Sequence, residues 1–241
     1  MSEAIALNAD FLKDELPGHD YSLIYLDIPY NTGRNFGQYE DSFDEDSYKK
    51  LLSSLFETII THSNNTTIAI QCDWHSTHLV RLFGDGALGR RNYKNEIIWN
   101  YNSGGASKTG LSKKHDTIHV WQLGKATYNE IREPYPNKYG GKVADKLHPD
   151  GRVIQDVWND IPTMSTTSKE RSGYLTQKPT RLLDRIIKLY TNENDWILDF
   201  VCGSGTTAVS AIQNNRNVVI ADKNPNAIEI ARERIDNAQK P

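Results

Sequence analysis

The sequence predicts an α/β fold, a mostly parallel sheet with helices on both faces, and three observations carry that reading. Apolar runs of strand length alternate with stretches of helical periodicity at both ends of the chain. Two of those runs, YSLIYLD (21–27) and NVVIAD (217–222), close on an aspartate. A third, ending near Asp199, leads through Gly203 and Gly205 into a helical stretch, the kind of junction where open α/β sheets bind ligands.

Taken in order, residues 21–27 read as a buried strand ended by Pro29. Ser42 and Glu45 form an S-x-x-E capping box ahead of a helix with apolar Tyr48, Leu51, Leu52, Leu55, Phe56 and Ile59. A strand over 67–72, a helix near 74–84 and strands over 95–101 and 116–123 follow. From 124 to 175 the periodicity fades into Pro, Gly, Lys, Asn and Tyr, which predicts loops or a small irregular lobe. Regularity returns with helix 179–191, strand 196–201, helix 206–215, strand 217–222 and helix 224–237.

At 241 residues the chain suits one domain, and 37% hydrophobic with 24% charged residues describes a soluble globule. No apolar run approaches the ~20 residues of a membrane span. The start, MSEAIALNADFLKDEL, is too polar and acidic for a secretory signal, so a cytoplasmic protein with no membrane partner is expected. The only cysteines, Cys72 and Cys202, exclude a disulfide framework. Asp73, His75 and His78 lack a further ligand cluster, and no metal is expected. The net charge of −3 hides an asymmetry: residues 101–181 carry 13 Lys+Arg against 8 Asp+Glu, a local surplus of five positive charges. That contrast suggests a local surface for a polyanion, or else a scatter of solvated lysines.

The segment Asp199-Phe200-Val201-Cys202-Gly203-Ser204-Gly205-Thr206-Thr207-Ala208 joins a strand to a helix, with glycines where a backbone must turn tightly or approach a ligand. Asp222, closing the next strand, is placed to accept hydrogen bonds from two ribose hydroxyls, which favours a nucleoside site over the plainer alternative of a tight strand-to-helix turn with a helix-capping aspartate. The same letters fit the dinucleotide fingerprint, but no second mononucleotide half follows them. Asp27-Ile28-Pro29-Tyr30 sets a carboxylate, a backbone carbonyl and an aromatic ring at one strand end. Those groups suit alkylation of a nucleobase amine. Two acceptors on its N–H bonds favour a pyramidal nitrogen with an available lone pair, and Tyr30 can stack on a base taken out of the duplex. The plainer alternative is a strand ended by a proline turn, with Asp27 capping and Tyr30 packing.

Together, D-I-P-Y-N-T-G followed by D-F-V-C-G-S-G-T-T resembles the beta group of S-adenosylmethionine-dependent DNA amino-methyltransferases, where the catalytic motif precedes the cofactor motif. Residues 95–108 with Lys114–Thr117, the run TQKPTRLLDRIIKLY (176–190) and Asn8-Ala9-Asp10 are similar to further segments of that group. The relatives in view are modification subunits of type III restriction systems and solitary adenine methyltransferases. The resemblance implies a Rossmann-like methyltransferase fold with a seven-stranded, mostly parallel sheet in permuted order. It divides a single domain (1–241) into a catalytic half (1–123), a target-recognition region (124–175) and a cofactor half (176–241).

By position, the resemblance makes Asp27, Pro29 and Tyr30 catalytic, with Asp27 also beside S-adenosylmethionine. Asp199, Phe200, Gly203, Ser204, Gly205, Thr206 and Thr207 would wrap the methionine part, Asp222 the ribose, and Asp10, Lys178 and Thr180 would flank them. Lys108, Lys113, Lys114, His115, Lys138, Lys142 and Arg152 are the candidates for contacting double-stranded DNA. The leading Asp goes mostly with adenine N6; N4 of cytosine, RNA, or a catalytically idle binder are the alternatives. A homodimer and a restriction endonuclease partner are further expectations of the resemblance. Ile28 stands where the family usually has Pro, and Val201 where Phe is common.

Overall fold

The computed structural model describes residues 2–35, 40–101, 105–135, 147–165, 167–168 and 170–240. The strands among the described residues are β1 (Ala4–Asn8), β2 (Tyr21–Asp27), β3 (Arg34–Asn35), β4 (Glu40–Asp41), β5 (Thr67–Cys72), β6 (Tyr93–Asn100), β7 (His115–Gln122), β8 (Arg132–Glu133), β9 (Arg152–Val153), β10 (Val157–Trp158), β11 (Trp196–Asp199) and β12 (Asn217–Asp222). The helices are α1 (Glu45–Thr61), α2 (Thr77–Gly84), α3 (Thr180–Tyr190), α4 (Thr206–Gln213) and α5 (Pro225–Ala238). Eight strands form one sheet in the order β1-β12-β11-β2-β5-β7-β6-β10, while β3/β4 and β8/β9 are two-residue ribbons. β7 alone runs against both its neighbours, so the sheet is mostly parallel as expected. It has one strand more than seven because the two-residue β10 extends the edge beyond β6.

Side chains alternate across the strands and feed two cores, as the two-residue period of a strand requires. On one face Leu23, Tyr25, Ile118, Val120, Val218 and Ile220 pack with α3, α4 and α5. On the other, Ile24, Leu26, Trp121, Val219 and Ala221 pack with α1 and α2. α3 contributes Leu182, Leu183, Ile186, Ile187 and Tyr190, a stripe at helical spacing.

Three local expectations are corrected. α1 starts at Glu45 and is capped by Asp44, whose carboxylate accepts from the Ser47 backbone N–H at 2.9 Å, not by a Ser42–Glu45 box. An ionised side chain aimed at the first turn supplies the acceptor that the Ser42 hydroxyl was expected to give. α2 begins at Thr77, because Asp73 folds its carboxylate back on the backbone N–H and ring of His75 and holds 73–76 as a turn. β1 is an unforeseen strand, paired in parallel with β12 from Ala4 opposite Val218 to Asn8 opposite Asp222. Among the described residues no helix is long and apolar enough to cross a membrane, and no cluster of three or more His, Cys, Asp or Glu could hold a metal ion.

The candidate active site

β11 leads through α4 to β12 on one side, and its neighbour β2 leads through α1 to β5 on the other. The chain order thus reverses between β11 and β2, which opens a crevice at their carboxyl ends. Asp27 ends β2, Asp199 ends β11 and Asp222 ends β12, so three carboxylates line one edge of the sheet. Asn8 lies opposite Asp222, which puts Asp10 beside that edge too.

Asp27 keeps 22% of its side chain exposed. One of its oxygens, Oδ2, receives the Lys178 ammonium, and the other accepts the Tyr30 hydroxyl at 2.5 Å. Burial raises the Asp27 pKa, and Lys178 opposes that shift. The turn after Asp27 is held from outside. Asp41 accepts from the Asn31 and Thr32 backbone N–H groups, both at 2.9 Å, while Tyr48 donates to the Pro29 carbonyl at 2.7 Å. Ile28 is buried, and its N–H reaches the Gln71 carbonyl at 3.4 Å, a ladder bond that a proline there could not make.

Behind Tyr30 lies a polar network absent from the sequence reading. Asp116, at the start of β7, accepts from Tyr101 at 2.8 Å and from Gln71 Nε2 at 2.8 Å, with the Tyr30 hydroxyl at 3.3 Å. The Gln71 side chain is fixed in turn by Tyr25, which donates to its amide oxygen Oε1 at 2.6 Å. These partners come together through strand register, since Gln71 lies opposite Asp27 and opposite Ile118. Only the strand order reveals them.

At the neighbouring strand end, Asp199 is 2% exposed. It accepts the Thr207 hydroxyl at 2.5 Å and the Val201 N–H at 3.2 Å. Burial, with the Asp27 and Asp222 charges nearby, pushes its carboxyl up to about 7. Asp222 accepts the N–H groups of Gly203 and Asn224, both at 2.9 Å, and remains half-buried. Gly203 and Gly205 have φ of +49° and +74°, a conformation that favours glycine. A Cβ at 205 would lie 2.7 Å from Ala231 Cβ on α5, so this glycine serves helix packing; a Cβ at 203 would meet the Tyr174 ring at 3.2 Å.

Several predicted cofactor residues have their side chains occupied within the protein. Arg234 donates to the Ser204 carbonyl (2.7 Å), the Ser204 hydroxyl (3.0 Å) and the Thr206 hydroxyl (3.1 Å). Thr206 donates to the Lys178 carbonyl at 3.3 Å, tying the glycine loop to the residue that pairs with Asp27. Phe200 is buried against Phe11, and Thr180 is bonded to Glu170. Lys178, predicted beside the cofactor, is instead paired with Asp27. The part-exposed carboxylates of Asp27 and Asp222, with the Gly203 turn between their strands, fit a ligand bearing cationic groups and vicinal hydroxyls.

The basic residues separate into groups. Lys108 and Lys113 are exposed on the segment leading into β7, with Lys114 and His115 half-buried beside them. The Lys113 ammonium lies 4.9 Å from the ring centroid of Trp74, an exposed tryptophan just past β5. The remaining tryptophans lie in strands, with Trp99, Trp121 and Trp158 buried. Arg152 is paired with Glu133 across the β8/β9 ribbon, which neutralises it locally. Lys138 and Lys142 lie outside the described residues.

Residues 21–233 match the family model described as DNA methylase, which covers the N6 and N4 enzymes. A type II methyltransferase of Haemophilus parainfluenzae, M.HpaI, is 29% identical over 96% of this chain and 73% of its own length. M.BamHI of Bacillus amyloliquefaciens is 40% identical over 97% of this chain and 57% of its own. The DNA adenine methyltransferase YhdJ of Escherichia coli (strain K12) is 27% identical over 92% and 78%. Among solved structures, the M1.HpyAVI–SAM complex superposes with a TM-score of 0.64 at 19% identity, covering 98% of this chain and all of that one. The cytosine-N4-specific PvuII DNA methyltransferase superposes at 0.72 with 12% identity, covering 97% and 86%. The Asp27–Tyr30 corner and the strand ends at Asp199 and Asp222 share one sheet edge, and the family match spans both: the chain belongs to the N6/N4 DNA methylases, the S-adenosylmethionine-dependent DNA methyltransferases.

Proposed function

We propose that this enzyme methylates the exocyclic N6 of an adenine flipped out of double-stranded DNA. The observation that carries the reading is the placement of Asp27 and Tyr30 on the same strand edge as Asp199 and Asp222, joined to the glycine loop through Lys178 and Thr206. S-adenosylmethionine supplies an already activated methyl group, so the protein's task is positioning and electrostatics. Asp222, with the Gly203 turn, is suited to hold its ribose, and the rim carboxylates its cationic portion. Asp27 and the Ile28 carbonyl would accept the two N–H bonds of the amine, and the Tyr30 ring would carry the base. The proton can leave after transfer, with Asp27 as its nearest carboxylate.

The likeness of sequence to YhdJ, named for adenine, supports N6 over N4. The segment 124–175, whose described residues include the short strands β8, β9 and β10, is the candidate reader of the target sequence. Incubation with methyl-labelled S-adenosylmethionine and unmethylated genomic DNA, with RNA in parallel, should place label in N6-methyladenosine from DNA. Label in N4-methylcytosine, or only in RNA, would reassign the substrate. Asp27→Ala should abolish turnover while cofactor binding, read by calorimetry, persists; near-parental turnover would remove Asp27 from the chemistry.

A further inference from the structure

We propose that Asp116 is a positioning residue that takes over the Tyr30 hydroxyl when a substrate amine reaches Asp27. The inference rests on the amino-methyltransfer reading and concerns how Asp27 becomes available for it.

Both oxygens of Asp27 are engaged: Oδ2 by Lys178, and Oδ1 by the Tyr30 hydroxyl at 2.5 Å. The lysine pairing balances the buried charge and can persist beside a substrate. The tyrosine bond competes with the substrate directly, because a short O–H···O⁻ bond occupies an oxygen the amine needs. The hydroxyl has one proton to give and two carboxylates within reach, Asp27 Oδ1 and, at 3.3 Å, Asp116 Oδ2. Rotation of the hydroxyl about its C–O bond, with a few tenths of an ångström of ring movement, exchanges one acceptor for the other. Tyr30 keeps one hydrogen bond throughout, and its proton never leaves its oxygen.

Asp116 is built as a fixed acceptor. It is 5% exposed and held at both oxygens, by Tyr101 on one and by Gln71 on the other, with Gln71 locked by Tyr25. These partners come from β5, from β2 and from the residue just past β6, so Asp116 cannot follow the tyrosine towards the cleft. Without that second acceptor, freeing Asp27 would leave a half-buried hydroxyl unpaired.

Single-turnover methyl transfer at saturating DNA and S-adenosylmethionine tests this on the parent, Asp116→Asn, Tyr30→Phe and the double variant. Asn at 116 keeps the shape and removes the charge, so the acceptor left facing Tyr30 is at most a neutral amide oxygen that Gln71 already engages. The expected result is an about tenfold slower transfer for Asp116→Asn, with DNA and cofactor affinities within about twofold of the parent. Tyr30→Phe keeps the ring and removes the competing hydroxyl, so in that background Asp116→Asn should change the rate by less than about twofold. Equal losses in both backgrounds would give Asp116 a merely structural role and overturn the proposal, as would parental speed for Asp116→Asn. Should Asp116→Asn fail to fold, Tyr101→Phe takes its place in the same cycle: it releases one oxygen of Asp116, so transfer should slow in the parent background and change by less than about twofold beside Tyr30→Phe, and equal losses in both backgrounds overturn the proposal. Absence of transfer by the parent itself would overturn the functional reading, and the inference with it.

Discussion

Asp199 is a carboxylate whose surroundings oppose its charge. Burial, together with the Asp27 and Asp222 charges, places its pKa at about 7, while an unfolded chain would ionise it near the ordinary value of ~3.9. The folded protein therefore holds a proton that the unfolded chain has already released. The stability linked to this group is fully present below about pH 4 and is lost as pH rises to about 7, an effect of roughly 2–4 kcal/mol before relaxation. His119, pushed down to about 4 by burial between Thr77 and Tyr93, works in the opposite sense and loses stability as pH falls below its ordinary range. Comparing Asp199→Asn with the parent cancels the histidine. The difference in Tm, measured without cofactor, should move in the variant's favour between about pH 4 and pH 8. Parallel Tm curves would mean that Asp199 is ionised throughout. The same strand-end carboxylates suit a cationic cofactor, whose binding offsets their mutual repulsion.

Between elements, the contact that shapes the glycine loop is that of α4 with α5. Gly205 lies at φ +74° with Ala231 directly against it, and Arg234 of the same helix bonds Ser204 and Thr206. Gly205→Ala forces both strain and overlap, so a loss of about 1–3 kcal/mol is expected together with weaker S-adenosylmethionine binding. Thermal melting and a cofactor titration read the two effects; an unchanged affinity would separate the glycine's packing role from the ligand site. Much of this level was legible in the sequence. β2, β5 and β12 are apolar runs bounded by turn residues, and the stripe of α3 shows its buried face directly. β1 was not legible, because AIALN has few β-branched residues and is ordered by pairing with β12, a partner more than 200 residues away. Asp27, Tyr30, Asp199 and Asp222 could be found because each sits at or just past a strand end. Gln71, Asp116, Tyr101 and Arg234 could not, since their positions depend on which strands and helices become neighbours.

Across the whole molecule, the basic middle of the chain meets the catalytic edge through the direction of a single strand. β7 runs antiparallel to β5, so it begins where β2 and β5 end, and the segment before it emerges at the same edge as Asp27. That segment carries Lys108 and Lys113 in solvent, and Lys114, whose ammonium is 3.4 Å from the Gly105 carbonyl. On a body whose net charge is −3, a local cationic segment of this kind would orient a polyanion toward the crevice while the acidic remainder would repel it. Contacts of this kind reach phosphates and carry no sequence preference. Replacing Lys113 and Lys114 with alanine should therefore weaken binding similarly for cognate and unrelated duplexes. It should also flatten the dependence of log K on log salt by roughly 1–2, the release of about one counterion per lost phosphate contact. The measurement is a pair of salt titrations of duplex affinity, parent against variant, with cofactor affinity as the control. Equal slopes would remove this segment from the DNA interface and move the electrostatic footprint to the lysines of the 124–175 region. A slope change confined to one duplex sequence would instead make these lysines readers of bases.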